Sequence, residues 1–403
     1  MTFRERIVTT LNHREPDMIP LDLGGTESSG ITGIAYNRLR NYLGLSAGET
    51  QIFDVYQQIT KIENDVRDIL KPDTIPLLIE PAAWKPYTLP DGSPCSIPEK
   101  WNPEKASGGD IVVRDSKGVI IARMPDSGFY FEPVSAPLAD VENPSELKTF
   151  TDVIESYDLP SFADESPETL TRRAQKLFKE TDLAVVANLQ LHLLAAGQQL
   201  RGYEAFMMDT LLKKPLVHAL FEMLTDAYIR RCEGYFTMVC GYIQVVLLND
   251  DLGTQNGPML SPESYREMLW PYQKRLISFI KKKTDAFVLF HSCGSVHEFI
   301  PYLIEAGVDA LNPVQVTARG MDTGGLKKQF GRDITFWGGG CDTQQVLRSG
   351  SPSQIKDEVK RRIDDLAADG GFVFTQVHNI QPDIPPENIM AMYEAFRKYR
   401  NYT

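Results

Sequence analysis

Phe287-Val288-Leu289-Phe290-His291-Ser292-Cys293-Gly294 is an apolar run too short for a helix, and it ends in two side chains able to bind a metal. It reads as a buried strand. On a strand alternate residues share a face, so His291 and Cys293 point the same way and can grip one ion, while Gly294 lets the backbone turn into the next helix. Alone, His-x-Cys is a weak sign, because a buried cysteine commonly serves as a small hydrophobe.

Runs of the same kind recur on both sides of this one. Met18-Ile19-Pro20-Leu21-Asp22-Leu23 follows a helix over Phe3 to Leu11, and Ile75 to Ile79 follows a helical pattern from Tyr56 to Leu70. Ala184 to Asn188, Ile243 to Leu248, Ala286 to Phe290, Asp309 to Asn312, Ile334 to Trp337 and Phe372 to Thr375 bring the strands to eight. The intervening helices carry start and stop signals. Ser261-Pro262-Glu263 and Ser351-Pro352 each set a cap before a first-turn proline, and Gly370-Gly371 ends the second of these helices. Eight near-continuous apolar strands alternating with helices predict an α/β fold, a (β/α)8 TIM barrel forming one domain over residues 1–403. From Trp84 to about Pro137 the grammar differs. Turn signals such as Pro90-Asp91-Gly92 and Asp115-Ser116-Lys117-Gly118 separate alternating runs, which predicts a β-hairpin insertion over residues 84–137. Its Phe129-Tyr130-Phe131 cluster is expected to cover the barrel mouth or a subunit contact, unless the aromatics form a small core of the hairpin itself.

The chain has 403 residues and a formal net charge of -12, which would repel a phosphate backbone and excludes nucleic acid as a natural partner. No apolar run is long enough for a membrane span, and an amphipathic helix stands where a secretory signal would lie, so a cytoplasmic location is expected. Five scattered cysteines do not make a disulfide framework and fit a reducing compartment.

In a barrel of this kind chemistry sits at the C-terminal ends of the strands. Asn249-Asp250-Asp251, Asn312-Pro313-Val314-Gln315, Gly338-Gly339-Gly340-Cys341-Asp342 and Gln376-Val377-His378-Asn379 all occupy such ends. Asp250 and Asp251 read either as helix caps or as a carboxylate in the site. His378 offers a third ligand to join His291 and Cys293, and three nitrogen and sulfur donors at one mouth fit a catalytic zinc with an open fourth position. Cys341 is the rival third ligand.

These residues resemble the uroporphyrinogen decarboxylase superfamily of (β/α)8 barrels. The resemblance rests on Arg4-Glu5-Arg6, Leu11 and Pro16-Asp17, on Leu200-Arg201-Gly202-Tyr203-Glu204, and on Leu260-Ser261-Pro262-Glu263-Ser264-Tyr265. It extends through His291-Ser292-Cys293-Gly294, Leu311-Asn312-Pro313-Val314-Gln315, and Val377-His378-Asn379-Ile380 to Pro386-Glu387-Asn388-Ile389. Within the superfamily the decarboxylases hold tetrapyrrole carboxylates with arginines of an N-terminal Arg-Gln-Ala-Gly-Arg-type segment. Here the matching stretch, Asp22-Leu23-Gly24-Gly25-Thr26-Glu27-Ser28-Ser29, has no arginine. The corrinoid-linked methyltransferases carry His-x-Cys after the fifth strand and a third ligand, usually Cys, before the last helix. This chain keeps the pair and has His378 at the third place.

The resemblance implies a zinc-dependent methyltransferase moving a methyl group between a small methylated compound and a corrinoid (cobalamin), with His291, Cys293 and His378 as ligands. Asp250 or Asp251 would complete the shell or handle a proton, and Asn312, Gln315, Gln344 and Asn379 would orient substrate. No Asp-x-His-x-x-Gly corrinoid segment is present, so a separate corrinoid protein is the expected partner, and a homodimer is an option. One thiolate and two neutral imidazoles leave zinc formally at +1, which favours departure of an alkoxide or phenolate and hence O-demethylation of a methoxylated compound. Two other readings stand beside this one: metal-free decarboxylation of a small or tetrapyrrole acid, in which Cys293 is dispensable, and a barrel that only binds a ligand.

Overall fold

The computed structural model describes residues 1–115, 117–157, 163–189 and 191–402. Its centre is a sheet of seven parallel strands, each hydrogen-bonded to the next in sequence: Thr74–Leu77, Ala184–Asn188, Val245–Asn249, Phe287–His291, Ala310–Asn312, Thr335–Trp337 and Phe372–Val373. Helices cover its outer face, the longest being Lys214–Val239 with 26 residues. The strand sequences explain this double burial. Ala184, Val186, Val245, Leu247, Leu289, Ala310, Trp337 and Val373 pack together on the inner face with Ile7 and Leu11 of the first helix, Phe3–Leu11. The alternate residues, among them Val185, Val246, Leu248, Val288, Phe290 and Leu311, belong to the larger core against the helices.

The two edges of this curled sheet are joined by the segment around Leu21, which forms a single parallel bridge with Phe374. Phe374 N–H donates to the Pro20 carbonyl at 2.9 Å and Asp22 N–H to the Phe374 carbonyl at 2.9 Å. On the other side Asp73 N–H donates to the Leu21 carbonyl at 2.7 Å. The expected strand Met18 to Leu23 contracts to this bridge for two reasons: Pro20 has no N–H to give, and the Leu21 N–H is taken by the Asp73 carboxylate at 2.7 Å.

The expected helix from Tyr56 is shorter than its apolar spacing implied and covers only Asn64–Leu70. Ahead of it, Ile52–Asp54 and Ile59–Thr60 pair antiparallel with each other, and Ile31–Thr32 joins them. The Asp54 carboxylate accepts from the N–H groups of Tyr56 and Gln57 at 3.0 Å each, and this local turn outcompetes a first helical turn.

Residues 84–137 hold more than one hairpin. Trp84–Thr88 pairs with Pro94–Pro98, while Pro103–Lys105, Ile111–Arg114, Ile120–Met124 and Glu132–Pro133 form a separate four-stranded antiparallel sheet. Leu89, Cys95, Ile97, Trp101, Val113, Ala122, Met124 and Phe131 make a small core there with Ile52 and Val55. Phe131 meets Trp101 edge-on at 5.4 Å, so it serves that core, whereas Phe129 is 39% exposed. The cap signals take the form expected: Ser261 accepts from Ser264 N–H, and Ser351 forms a capping box with Gln354. Among the described residues no helix is long and apolar enough to cross a membrane.

Candidate metal centre

Sheet register sets the centre. His291 is the last residue of its strand, opposite Asn249 on one side and Asn312 on the other. Its Nδ1 lies 2.7 Å from Asn312 Oδ1. An amide oxygen only accepts, so Nδ1 carries the proton and the Nε2 lone pair is left for the mouth. Asn312 is itself held, accepting from Ser28 Oγ at 2.6 Å and donating to the Trp337 carbonyl at 2.8 Å. Asn312, expected to orient substrate, thus spends its amide on His291, Ser28 and the Trp337 carbonyl.

Cys293 follows where the chain leaves the sheet. Its N–H donates to Asp251 Oδ1 at 2.8 Å, and its Sγ lies 3.4 Å from His291 Nε2. Gly294 (φ +85°) then turns away, where a Cβ would strike the Gly253 backbone at 2.3 Å, so this crossing of two loops needs glycine. Gln315 Oε1 accepts from Gly294 N–H at 2.6 Å and secures the same turn.

His378 comes from the far edge, its ring 5.9 Å from that of His291 at 69°. One ligand atom from each of His291, Cys293 and His378 lies within 4.8 Å of the other two, and among the described residues these three form the one such group. Ligands of a tetrahedral zinc stand about 3.3–3.8 Å apart, so the His291–Cys293 edge has the required length. Burial and the neighbouring His291 push His378 down to about 4, and burial together with Asp251 holds the Cys293 thiol well above its ordinary range. Without a cation His378 is therefore a neutral imidazole and Cys293 a thiol. This is a donor set that a divalent ion suits, since it would deprotonate the thiol and needs no change in His378. Cys341, the rival ligand, is fully buried in the main hydrophobic core and stands outside the group.

The neighbouring aspartates differ. Asp250 faces away from the mouth. Its carboxylate accepts from the N–H groups of Leu193, Leu194 and Ala195 at 3.1, 2.9 and 3.2 Å and from Gln273 Nε2 at 3.0 Å, capping the helix Leu194–Arg201. Burial pushes it up to about 6 against the pull of these donors. Asp250, expected to complete the shell or handle a proton, is thus held by four donors on the helix side of its strand. Asp251 is exposed, and its Oδ1 lies 3.7 Å from His291 Nε2. Asp250→Ala should therefore lose about 3 kcal/mol of stability, from the cap and the stranded donors, with little change in turnover of the folded protein. Asp251→Ala should do the reverse. Urea titration and steady-state rates of both variants check this, and equal stability losses would contradict it.

Gln344 is exposed at the rim, where its Oε1 accepts from Gln255 Nε2 at 3.0 Å and Thr317 Oγ1 at 3.2 Å. Asn379 is buried; its Oδ1 accepts from Tyr130 Oη at 3.0 Å and its Nδ2 donates to Gln57 Oε1 at 2.7 Å. Tyr130 thus carries residues 84–137 to the neighbour of His378. Nothing local in the sequence announced Ser28 or Gln57, whose partners lie hundreds of residues away.

Residues 167–399, more than half of the chain, match the family described as uroporphyrinogen decarboxylase (URO-D). The chain belongs to the uroporphyrinogen decarboxylase family. His291, Cys293, His378 and Asp251 all lie inside the matched region, and Tyr130, Gln57 and Ser28 lie outside it. A uroporphyrinogen decarboxylase from Legionella pneumophila (strain Lens) is 28% identical over 141 residues, 34% of this chain and 38% of that protein. One from Idiomarina loihiensis is 24% identical over 187 residues, 45% of this chain and 48% of that protein. The chain thus spans less than half the length of these curated relatives. A methyltransferase from Methanosarcina mazei shares the fold over 99% of both chains, with a TM-score of 0.59 at 17% identity.

Proposed function

We propose that this member of the uroporphyrinogen decarboxylase family is a zinc-dependent methyltransferase, moving a methyl group between a small methoxylated compound and a corrinoid carried by a separate protein. The observation that carries the reading is the convergence of His291 Nε2, Cys293 Sγ and His378 within 4.8 Å, with Asn312 fixing the His291 tautomer from behind. The fold shared with a methyltransferase is in keeping with it. In this reading residues 1–403 form one (β/α)8 barrel, its eighth staple being the segment around Leu21, and residues 84–137 are an insertion beside the mouth.

His291, Cys293 and His378 would hold the ion. Zinc, when bound, supplies Lewis-acid polarisation of the heteroatom that bears the methyl group, and one thiolate with two imidazoles leaves it a residual positive charge that favours an ether oxygen as leaving group. The chain's own groups do the rest. Asn312 keeps His291 in one tautomer, Asp251 sets a carboxylate 3.7 Å from His291 Nε2, and Tyr130 holds Asn379 beside His378. Decarboxylation of a tetrapyrrole is disfavoured by residues 22–29, which are buried, contain no arginine, and spend Asp22 on Gly25 N–H, Thr74 Oγ1 and Trp337 Nε1.

The test offers methoxyaromatics, methylated thiols and methylated amines together with a reduced corrinoid protein and follows cobalt methylation by absorbance. Methylation from ethers is expected. Methylation from thioethers or amines but never from ethers would overturn the O-demethylase assignment, and none from any donor would overturn methyl transfer itself.

A further inference from the structure

The inner face of the sheet ends in a row of polar side chains, and two of them have no use in the centre described above. Strand alternation carries the inner positions Ala184 and Val186 on to Asn188, and Val245 and Leu247 on to Asn249. Asn188 is only 6% exposed, yet neither its Oδ1 nor its Nδ2 has a hydrogen-bond partner among the described residues. Asn249 Oδ1 is likewise sealed from solvent and unpartnered. A buried amide atom without a partner costs about 1–3 kcal/mol, and three such atoms on adjacent strands are an arrangement that folding alone disfavours.

Their position gives them a use. Asn249 stands directly opposite His291 in the sheet, while Asn188 lies one strand further on, opposite Leu247. Neighbouring strands are about 4.8 Å apart and residues rise about 3.3 Å, so on the same inner face Asn249 lies about 5 Å from His291, and Asn188, two strands away and two residues deeper, about 12 Å. We infer that Asn188 and Asn249 form a neutral recognition subsite, which hydrogen-bonds an uncharged donor-and-acceptor group on the substrate at the end remote from its methyl group. This rests on the methyltransferase reading and narrows its substrate class. Asn188 offers one acceptor and two donors, and Asn249 Oδ1 adds a second acceptor. A carboxamide matches that set. A carboxylate matches less well, because it can accept from Asn188 Nδ2 but has no hydrogen to give the Oδ1 atoms of Asn188 and Asn249, and the Asp251 carboxylate already stands beside His291. A hydrocarbon would leave both amides unsatisfied. The reach suits a para-substituted ring, whose ether oxygen and para group are about 6–7 Å apart, between the separations of the two asparagines from His291.

The experiment is calorimetric binding of 4-methoxybenzamide, 4-methoxybenzoate and methoxybenzene to the purified zinc-loaded full chain, with no corrinoid protein present. The wild type is expected to bind the amide about tenfold more tightly than the other two, the worth of one well-made buried hydrogen bond. Asn188→Leu should weaken amide binding about tenfold, leave methoxybenzene within about twofold, and raise Tm by about 1–3 °C, because an unsatisfied amide becomes hydrocarbon of similar size. Should that variant not fold, Asn249→Leu is read in the same way. Equal wild-type affinities, binding of none of the three, or a leucine variant that keeps the preference for the amide would each overturn the subsite. Because binding is read apart from methyl transfer, a protein that keeps the preference yet never methylates cobalt counts against the methyltransferase reading and leaves the subsite standing.

Discussion

Cys293→Ala is expected to reduce bound zinc from about one ion per chain to a small fraction of that and to cut methyl transfer by about three orders of magnitude, with the urea midpoint nearly unchanged. The size follows from the donor set. Lewis-acid stabilisation by a metal is worth several kcal/mol, and each 1.36 kcal/mol is tenfold in rate. With one of three ligand side chains gone, His291 and His378 alone hold zinc poorly. Stability should barely respond, because Cys293 is only partly buried and its N–H bond to Asp251 is a backbone bond that alanine retains. Asn312→Leu should act on the same centre more gently. It removes the acceptor that fixes the His291 tautomer, and a loss of about 10–100-fold in zinc affinity is the usual consequence of deleting such a partner. Metal analysis of both variants after dialysis, beside wild type prepared with added zinc, decides the matter. A wild type without zinc, or a Cys293→Ala protein that turns over normally, would favour metal-free decarboxylation.

Why some of this could be read from the sequence and some could not has a physical explanation. Phe287–His291 was legible because a strand buried on both faces must be continuously apolar, and because period-two alternation sets His291 and Cys293 on one side. The same alternation already held the answer for the aspartates. With Val245 and Leu247 inward, Asn249 is inward and Asp250 must face the helices, where it caps Leu194–Arg201. The segment around Leu21 was hydrophobic enough to pass for a strand, but its N–H was claimed by a side chain 52 residues away. Ser28 and Gln57 have no local signature, since their contacts with Asn312 and Asn379 exist only once the sheet has curled and residues 22–63 fold across its mouth. Asn188 was legible as a residue but not as an anomaly. Only the packed structure shows that its amide has no partner.

Arg6→Ala should cost about 3–5 kcal/mol of stability, because it strands a carboxylate that has no access to water. Asp73 is fully buried and accepts from Arg6 Nη1 in a short contact and from Leu21 N–H at 2.7 Å, with Arg400 Nη2 3.8 Å away. Its own N–H bonds the Leu21 carbonyl, so one residue ties the segment around Leu21 to the edge of the seven-stranded sheet twice. Arg6 also makes a fork with Asp17, at 2.8 and 3.0 Å, but Asp17 is partly in solvent and can be hydrated when the arginine goes. The pH dependence separates the two. Arg6 draws Asp17 down to about 2, whereas burial pushes Asp73 up to about 6 even with Arg6 beside it. An unfolded aspartate titrates near 3.9, so the folded protein holds the Asp73 proton more tightly, and folding gains stability as pH falls through about 6 toward 4. Removing Arg6 raises Asp73 further. The deficit of Arg6→Ala relative to wild type should then be greatest near pH 8 and shrink toward pH 5, where Asp73 takes up a proton and no longer needs the guanidinium. If Asp17 were the important partner the deficit would be flat from pH 8 to 5, with its contribution lost only near pH 2–4. Urea titrations at pH 8, 6.5 and 5 distinguish these, and a deficit below 1 kcal/mol or flat across the three would show that Asp73 is not stranded. The variant should also lose activity beyond its loss of folded protein, because Leu21 leads directly into Asp22, whose carboxylate holds Trp337 Nε1 at 2.8 Å, and the Trp337 carbonyl in turn anchors the amide of Asn312 behind His291.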